Sequence, residues 1–231
     1  MRLTNLYCVL CGCPCPDPDR IICEACMTKL TSTMIPYQFT TYCPLCGMPE
    51  FSREIDCIRC HGIDEYGMRI YSLFKYSGYA KELIRLYKFS GCKELAYLIA
   101  QLIFSFADDV VKRPVVFVPV PCSHSSFIKR GWDQMSIICM WLRRFGCAIC
   151  ECIRRSTTSK ELKHMKRSQR THIKEDSWIQ LKENSQTVFD DNVTYILLDD
   201  VLTTGSTLKA CKSLLDTYGV KQIVGLTIAM D

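Results

Sequence analysis

The stretch Ile196-Leu197-Leu198-Asp199-Asp200-Val201-Leu202-Thr203-Thr204-Gly205-Ser206-Thr207-Leu208 decides how the rest of the chain is read. Tyr195 to Leu198 form a continuous apolar run, the pattern of a central parallel strand covered on both faces. Asp199 and Asp200 stand at its C-terminal end, and Thr203, Thr204, Gly205, Ser206 and Thr207 follow as a small-residue loop. Leu208, Cys211, Leu214 and Leu215 then recur at helical spacing, with Gly219 as the stop. A helix that starts after such a loop offers unpaired N–H groups to an anion. Gly205 lets the backbone approach a phosphate closely, and the hydroxyls add donors. Two carboxylates beside a phosphate cradle would repel it unless they hold sugar hydroxyls, a divalent metal, or both. A phosphorylated ribose satisfies both halves at once. The plain alternative is an Asp-capped turn in which Asp and Thr only satisfy helix-start N–H groups.

The chain has 231 residues, of which 48% are hydrophobic, enough for one good-sized domain and a small one. No apolar run is long enough to cross a bilayer, and residues 1–10 lack the apolar core and cleavage site of a signal peptide. The expectation is a soluble cytoplasmic protein with no membrane span. Of the 17 cysteines, ten lie in the first sixty residues, and eight of these form Cys-x-x-Cys pairs: Cys8/Cys11, Cys23/Cys26, Cys43/Cys46 and Cys57/Cys60. Thiols stay reduced in the cytosol, so metal is preferred over disulfides. Zn²⁺ takes four thiolates in structural sites, and one knuckle supplies two from a tight turn.

The expected pairing puts Cys8, Cys11, Cys23 and Cys26 on one zinc and Cys43, Cys46, Cys57 and Cys60 on a second, in tandem ribbons. A cross-braced pairing fits the spacing too. Residues 1–62 thus read as a double zinc-ribbon module, in which metal replaces a core too small to hold it together; the alternative, a ribbon that docks nucleic acid or a partner, is less favoured because the stretch has no basic excess to hold phosphates. Cys13 and Cys15 are left over, as spectators or substitute ligands.

The net charge is +5, but residues 154–174 alone carry +7 and leave −2 for the rest. Before that segment, 68–76 reads as a strand with Tyr71, Leu73 and Lys75 on one face. Helices follow over 79–89 and 93–111. Lys88, at the end of the first, either complements the helix dipole or reaches into the phosphate site. Val115–Val120 is a strand stopped by Pro119 and Pro121. The residues 122–132 read as a loop carrying His124, Lys129 and Arg130, and 133–145 as a helix with Gln134 in its first turn. Short strands are expected at 147–153 and 221–229. This alternation predicts an α/β fold with a mostly parallel sheet flanked by helices over 63–231. Asp199 and Asp200 would lie at the strand end where such sheets bind ligands.

The string of Asp199, Asp200, Thr203, Thr204, Gly205, Ser206 and Thr207 resembles the phosphoribosyl pyrophosphate (PRPP) signature of type I phosphoribosyltransferases. With the tandem knuckles, Lys88-Phe89-Ser90-Gly91, Pro119-Val120-Pro121 and Arg130-Gly131-Trp132-Asp133-Gln134, the whole order resembles the ComF family. These are bacterial proteins with an N-terminal zinc finger and a C-terminal phosphoribosyltransferase-like domain, associated with natural competence, the uptake of DNA for transformation. Two departures stand out. The loop after Pro121 reads CSHSSFIKRG where the family usually carries His-Pro and more arginines. In the basic segment Leu162 stands where the family has Gln, Arg170 where it has Arg and Ile173 where it has Asn.

The resemblance implies that Mg²⁺-PRPP sits with its 5′-phosphate on Thr203–Thr207 and its ribose hydroxyls on Asp199 and Asp200. Pyrophosphate would lie against Lys129 and Arg130, with residues 154–174 as a lid that excludes water. If active, the chain would be a phosphoribosyltransferase transferring the pentosyl group from PRPP. A second reading is a non-catalytic protein that binds single-stranded DNA or a nucleotide in the same cradle, with Trp132 or Trp178 stacking on bases and DNA-uptake proteins as partners. A third is a regulator that senses PRPP without turnover.

Overall fold

The apolar run at 195–198 lies inside a longer strand, at the centre of the sheet. The computed structural model describes residues 7–15, 17, 20–35, 41–42, 49–50, 67–110, 114–155, 179–182 and 189–231. Their elements in chain order are α1 (Glu24–Ser32), β1 (Thr41–Tyr42), β2 (Pro49–Glu50), β3 (Ile70–Lys75), α2 (Gly78–Phe89), α3 (Leu95–Val110), β4 (Val115–Pro119), α4 (His124–Arg130), α5 (Gln134–Arg144), β5 (Ala148–Ile149), β6 (Ile153–Arg155), β7 (Ile179–Leu181), β8 (Thr194–Leu202), α6 (Ser206–Thr217) and β9 (Ile223–Met230). The main sheet runs β3-β9-β8-β4-β5, and every pairing in it is parallel. The strands β1 and β2 pair antiparallel, as do β6 and β7.

Alternation along β8 sorts its side chains into two cores. Ile196 and Leu198 join the core under α2, α3 and α5, together with Phe117, Leu83, Ile99 and Ile138. Tyr195, Leu197 and Leu202 join the other, with Val118 from β4 and Leu208, Cys211 and Leu215 from α6. A strand buried on both faces must read as a continuous apolar run, which explains 195–198. On α5, the Asp133 carboxylate caps the helix by accepting from the Met135 N–H at 2.9 Å, and Ile138, Cys139 and Leu142 face inward.

Three sequence expectations change in register. In β3 the buried residues are Ile70, Ser72, Leu73 and Phe74, while Lys75 is exposed. Both faces are covered, and Met34 bridges to Phe74. The strand expected over 147–153 is two: β5 adds to the main sheet beside β4, and β6 turns away to pair with β7. Arg154 and Arg155 therefore belong to a strand, not to the basic segment, whose remainder lies outside the described residues. The stretch 122–132, expected as a loop, contains α4, with Ser123 accepting from the Ser126 N–H at 3.2 Å and Gly131 (φ 72°) closing it in the left-handed region.

The N-terminal residues do not stand apart from this body. Cys26, Leu30 and Met34 share one core with Phe74, Leu83 and Ile84. A cysteine-rich stretch with few apolar residues gains its buried surface by lying on α2.

Candidate functional site

The site follows from where two strands stop. Paired with β8 up to Pro119 opposite Leu198, β4 ends in Pro119-Val120-Pro121, whose prolines have no N–H to continue a ladder. Beside β9, β8 runs on through Leu202 opposite Met230. One edge of 199–202 is thereby left open toward the end of β4. The chain also leaves these two strands in opposite directions, β4 leading to β5 on one side and β8 to β9 on the other. Such a switch point opens a crevice at the carboxyl ends of the strands.

Asp199 and Asp200 line this crevice. Asp199 Oδ1 accepts from the Asp200 N–H at 2.8 Å, and Asp200 Oδ1 accepts from the Val201 N–H at 2.6 Å. Burial first, and the Asp200 charge second, push the Asp199 carboxyl up to about 7. Asp200 is held by two other parts of the chain: Lys88 Nζ lies 2.7 Å from its Oδ2, and Gln134 Nε2 donates to the same oxygen at 2.5 Å. Tyr87, next to Lys88, donates its hydroxyl to the Gln134 carbonyl at 2.6 Å and packs edge-on against Trp132 at 5.0 Å.

Beyond the carboxylates, Gly205 takes φ 70° as the N-cap of α6, a left-handed conformation that glycine adopts without strain. Thr204 Oγ1 accepts from the Ser206 N–H at 3.4 Å, and the Lys209 N–H begins the helix on the Gly205 carbonyl. A hollow of about 30 Å³ is bounded by Asp199, Thr203, Thr204, Gly205, Ser206 and Thr207, among others. Thr203, Thr204 and Ser206 are exposed there.

Lys129 and Arg130 sit in the last turn of α4, Lys129 exposed and Arg130 half-buried with its Nε lacking a hydrogen-bond partner. A larger cleft of about 930 Å³ lies between Pro119–Cys122, α4 and β6. Arg155 closes one wall by donating Nε to the Pro121 carbonyl at 2.7 Å. Trp132, expected as a stacking surface, is buried between Tyr87 and the Lys93 ammonium, 5.4 Å from its ring centre. Buried in this way, it offers no open ring face to a base. Trp178 lies outside the described residues.

The sulfur atoms of Cys8, Cys11, Cys23 and Cys26 all lie within 4.8 Å of one another, with Cys11 and Cys23 at 3.7 Å. Zn–S bonds of about 2.3 Å set tetrahedral S···S edges of about 3.8 Å, so this group has the size of a four-thiolate metal site. Against the cost of burial, N–H groups of Cys23, Cys11 and Leu10 hold the Cys8 thiol down at about 7. Cys15 is buried beside the group, its thiol 3.7 Å from the Arg20 carbonyl, and Cys13 is exposed. Cys43, Cys46, Cys57 and Cys60 lie outside the described residues.

Of the two readings of Lys88, helix-end charge or a reach into the site, the structure places its ammonium on Asp200. Sequence reasoning gave Gln134 no role beyond its place in the Arg130–Gln134 motif, and that motif was its signal. No helix among the described residues is long and apolar enough to cross a membrane.

No family model matches the chain. Over 94% of its length it is 25% identical to the DNA utilization protein YhgH of Salmonella typhimurium, covering 93% of that protein. It is 25% identical to competence protein F of Haemophilus influenzae over 96% of both chains. With competence protein ComFC of Streptococcus pneumoniae the identity is 23%, over 78% of this chain and 77% of that one. The resemblance to competence proteins drawn from the motifs therefore extends over most of the chain. Similar solved structures include a hypoxanthine phosphoribosyltransferase from Staphylococcus aureus, with TM-score 0.35 and 15% identity over 60% of this chain and 65% of that one. Another is the hypoxanthine phosphoribosyltransferase of Trypanosoma cruzi, with TM-score 0.36 and 10% identity over 66% of each.

Proposed function

We propose that this chain binds PRPP, as its Mg²⁺ complex, in the crevice between the ends of β4 and β8, and that it acts in DNA uptake or DNA utilisation. One observation carries the reading: a pair of adjacent carboxylates runs directly into a glycine-capped helix N-terminus at the switch point of a parallel sheet. In this reading Thr203, Thr204, Gly205, Ser206 and Thr207 hold the 5′-phosphate through backbone N–H groups and hydroxyls, and Asp199 and Asp200 hold the ribose hydroxyls. Lys129 and Arg130 face the pyrophosphate. The cellular role is supported by the names of the relatives, which concern DNA utilisation and competence.

If pyrophosphate leaves, positive charge builds on the anomeric carbon, and fixed carboxylates beside the sugar stabilise it without reorganising. Mg²⁺ arrives with the substrate and neutralises the diphosphate charge. In this reading residues 1–62 are a double zinc-ribbon module ahead of a phosphoribosyltransferase-like domain over 63–231, with Zn²⁺ on Cys8, Cys11, Cys23 and Cys26.

The test is a ligand panel read by thermal unfolding: Mg²⁺-PRPP, ribose 5-phosphate and inorganic pyrophosphate. PRPP should raise the unfolding temperature most, because it alone fills both halves of the crevice. Gly205→Val should abolish the shift. Equal or absent shifts for all three ligands would refute the reading. Pyrophosphate release with candidate acceptors then separates turnover from binding alone.

A further inference from the structure

Resting on the sugar-binding role proposed for Asp200, we infer that Lys88 is the positioning residue of the sugar site: its ammonium, with the Gln134 amide, fixes the Asp200 carboxylate in one orientation beside Asp199. Neither Lys88 nor Gln134 belongs to the strand or to the loop that forms the cradle. They arrive from α2 and α5, and both meet the same oxygen, Oδ2, at 2.7 and 2.5 Å. The backbone N–H of Val201 takes Oδ1 at 2.6 Å, so three donors hold the carboxylate. Lys88 and Asp200 are 15% and 14% exposed, a setting in which an ion pair is screened far less than at the surface.

Two adjacent carboxylates in a crevice that must also admit phosphates need their charge offset. The charged and titratable groups around Asp200 settle who does this. Asp199 precedes it, Lys88 and Tyr87 come from α2, and Arg130 and Asp133 lie at the ends of α4 and α5. On the far side, Arg155 of β6 and Cys211 of α6 flank Asp199. Lys88 alone among the cations described forms an ion pair with Asp200. Gln134 adds a donor without adding charge. It is 4% exposed, and its Oε1 has no hydrogen-bond partner, so the amide is oriented by Asp200 and not by a competing donor. Tyr87 fixes the same junction from the backbone side, through the Gln134 carbonyl.

An ammonium that only plugged a helix end would affect stability and nothing else. A positioning ammonium also lowers the pH at which Asp199 ionises. Removing it raises that midpoint, so Asp199 stays protonated to higher pH and sugar binding appears only at higher pH.

The test uses the full-length protein and two readouts, one of which needs no ligand. Carboxyl titration of ¹³C-aspartate-labelled wild type, Lys88→Met and Lys88→Arg follows Asp199 directly, with Asp199→Asn for assignment. The Asp199 midpoint should rise by about one unit in Lys88→Met and return toward wild type in Lys88→Arg. An unchanged midpoint in folded Lys88→Met overturns the inference, whether or not PRPP binds. Calorimetry with Mg²⁺-PRPP across the same pH range should show about fivefold weaker binding for Lys88→Met at pH 7, recovering as the pH rises. A uniform loss at every pH would mean a merely structural lysine and would also overturn it. Absence of binding by the wild type would instead refute the sugar-site reading while leaving the titration to decide the role of Lys88. If Lys88→Met fails to fold, Gln134→Leu replaces it: a loosened Asp200 should likewise raise the midpoint, and an unchanged one counts against the inference.

Discussion

The Tyr87 hydroxyl donates to the main-chain carbonyl of Gln134 at 2.6 Å, both groups buried, and this one bond ties the end of α2 to the start of α5 beside the carboxylate pair. Tyr87→Phe keeps the ring packed on Trp132 but removes the bond that joins α2 to a carbonyl at the start of α5. It should destabilise the protein by about 0.5–1.5 kcal/mol in urea unfolding. An unchanged midpoint would mean that this bond adds nothing to the junction.

A second buried pair lies across the outer strands, where Ser72 Oγ and Thr227 Oγ1 are 2.6 Å apart. Thr227→Val should cost about 1–3 kcal/mol by stranding the Ser72 hydroxyl, and adding Ser72→Ala should recover part of the loss. A double-mutant cycle reads this directly, and strict additivity would argue against coupling.

Asp199 gives a pH dependence with a definite sign. Its folded-state value near 7 lies above the ordinary carboxylate value of about 4, so between these limits the folded protein holds more protons than the unfolded chain. Its contribution is therefore full at low pH and is lost as pH rises toward and through 7. Asp199→Asn removes this slope, and the variant should be more stable than wild type at pH 8 by on the order of 1 kcal/mol or more. Chemical denaturation at pH 5 and pH 8 checks it; parallel pH profiles for the two proteins would contradict it.

A metal held by Cys8, Cys11, Cys23 and Cys26 would be tied to the stability of the whole body, because Cys26, Leu30 and Met34 share a core with α2. Chelation, or Cys11→Ser, should remove a bound zinc, measured by release to a chromogenic chelator. It should also lower the unfolding temperature by about 5–10 °C. Since α2 carries Lys88, PRPP affinity should fall in parallel. Release of zinc with no change in unfolding would show that the knuckle is independent.

The central strand, its loop and α6 were legible because a doubly buried strand must be a continuous apolar run and a phosphate-type loop needs its glycine at one place. Two kinds of feature were not. Helix α4 buries none of its residues, so no apolar periodicity announces it; a Ser cap and Gly131 were its only local signals. For Lys88 the sequence left a reach into the site open, but that it and Gln134 meet on Asp200 depends on α2 and α5 converging, a contact that local sequence does not encode. Trp132 shows the same limit in reverse, since an aromatic that reads as free for stacking is enclosed by Tyr87 and Lys93.

Calorimetric titration of Mg²⁺-PRPP into the wild type and an Asp199→Asn/Asp200→Asn variant tests the central claim most directly. Micromolar binding by the wild type, weakened at least about 100-fold in the variant, is the expected result. No binding by the wild type, or equal binding by both proteins, would contradict a sugar-phosphate site at the end of β8.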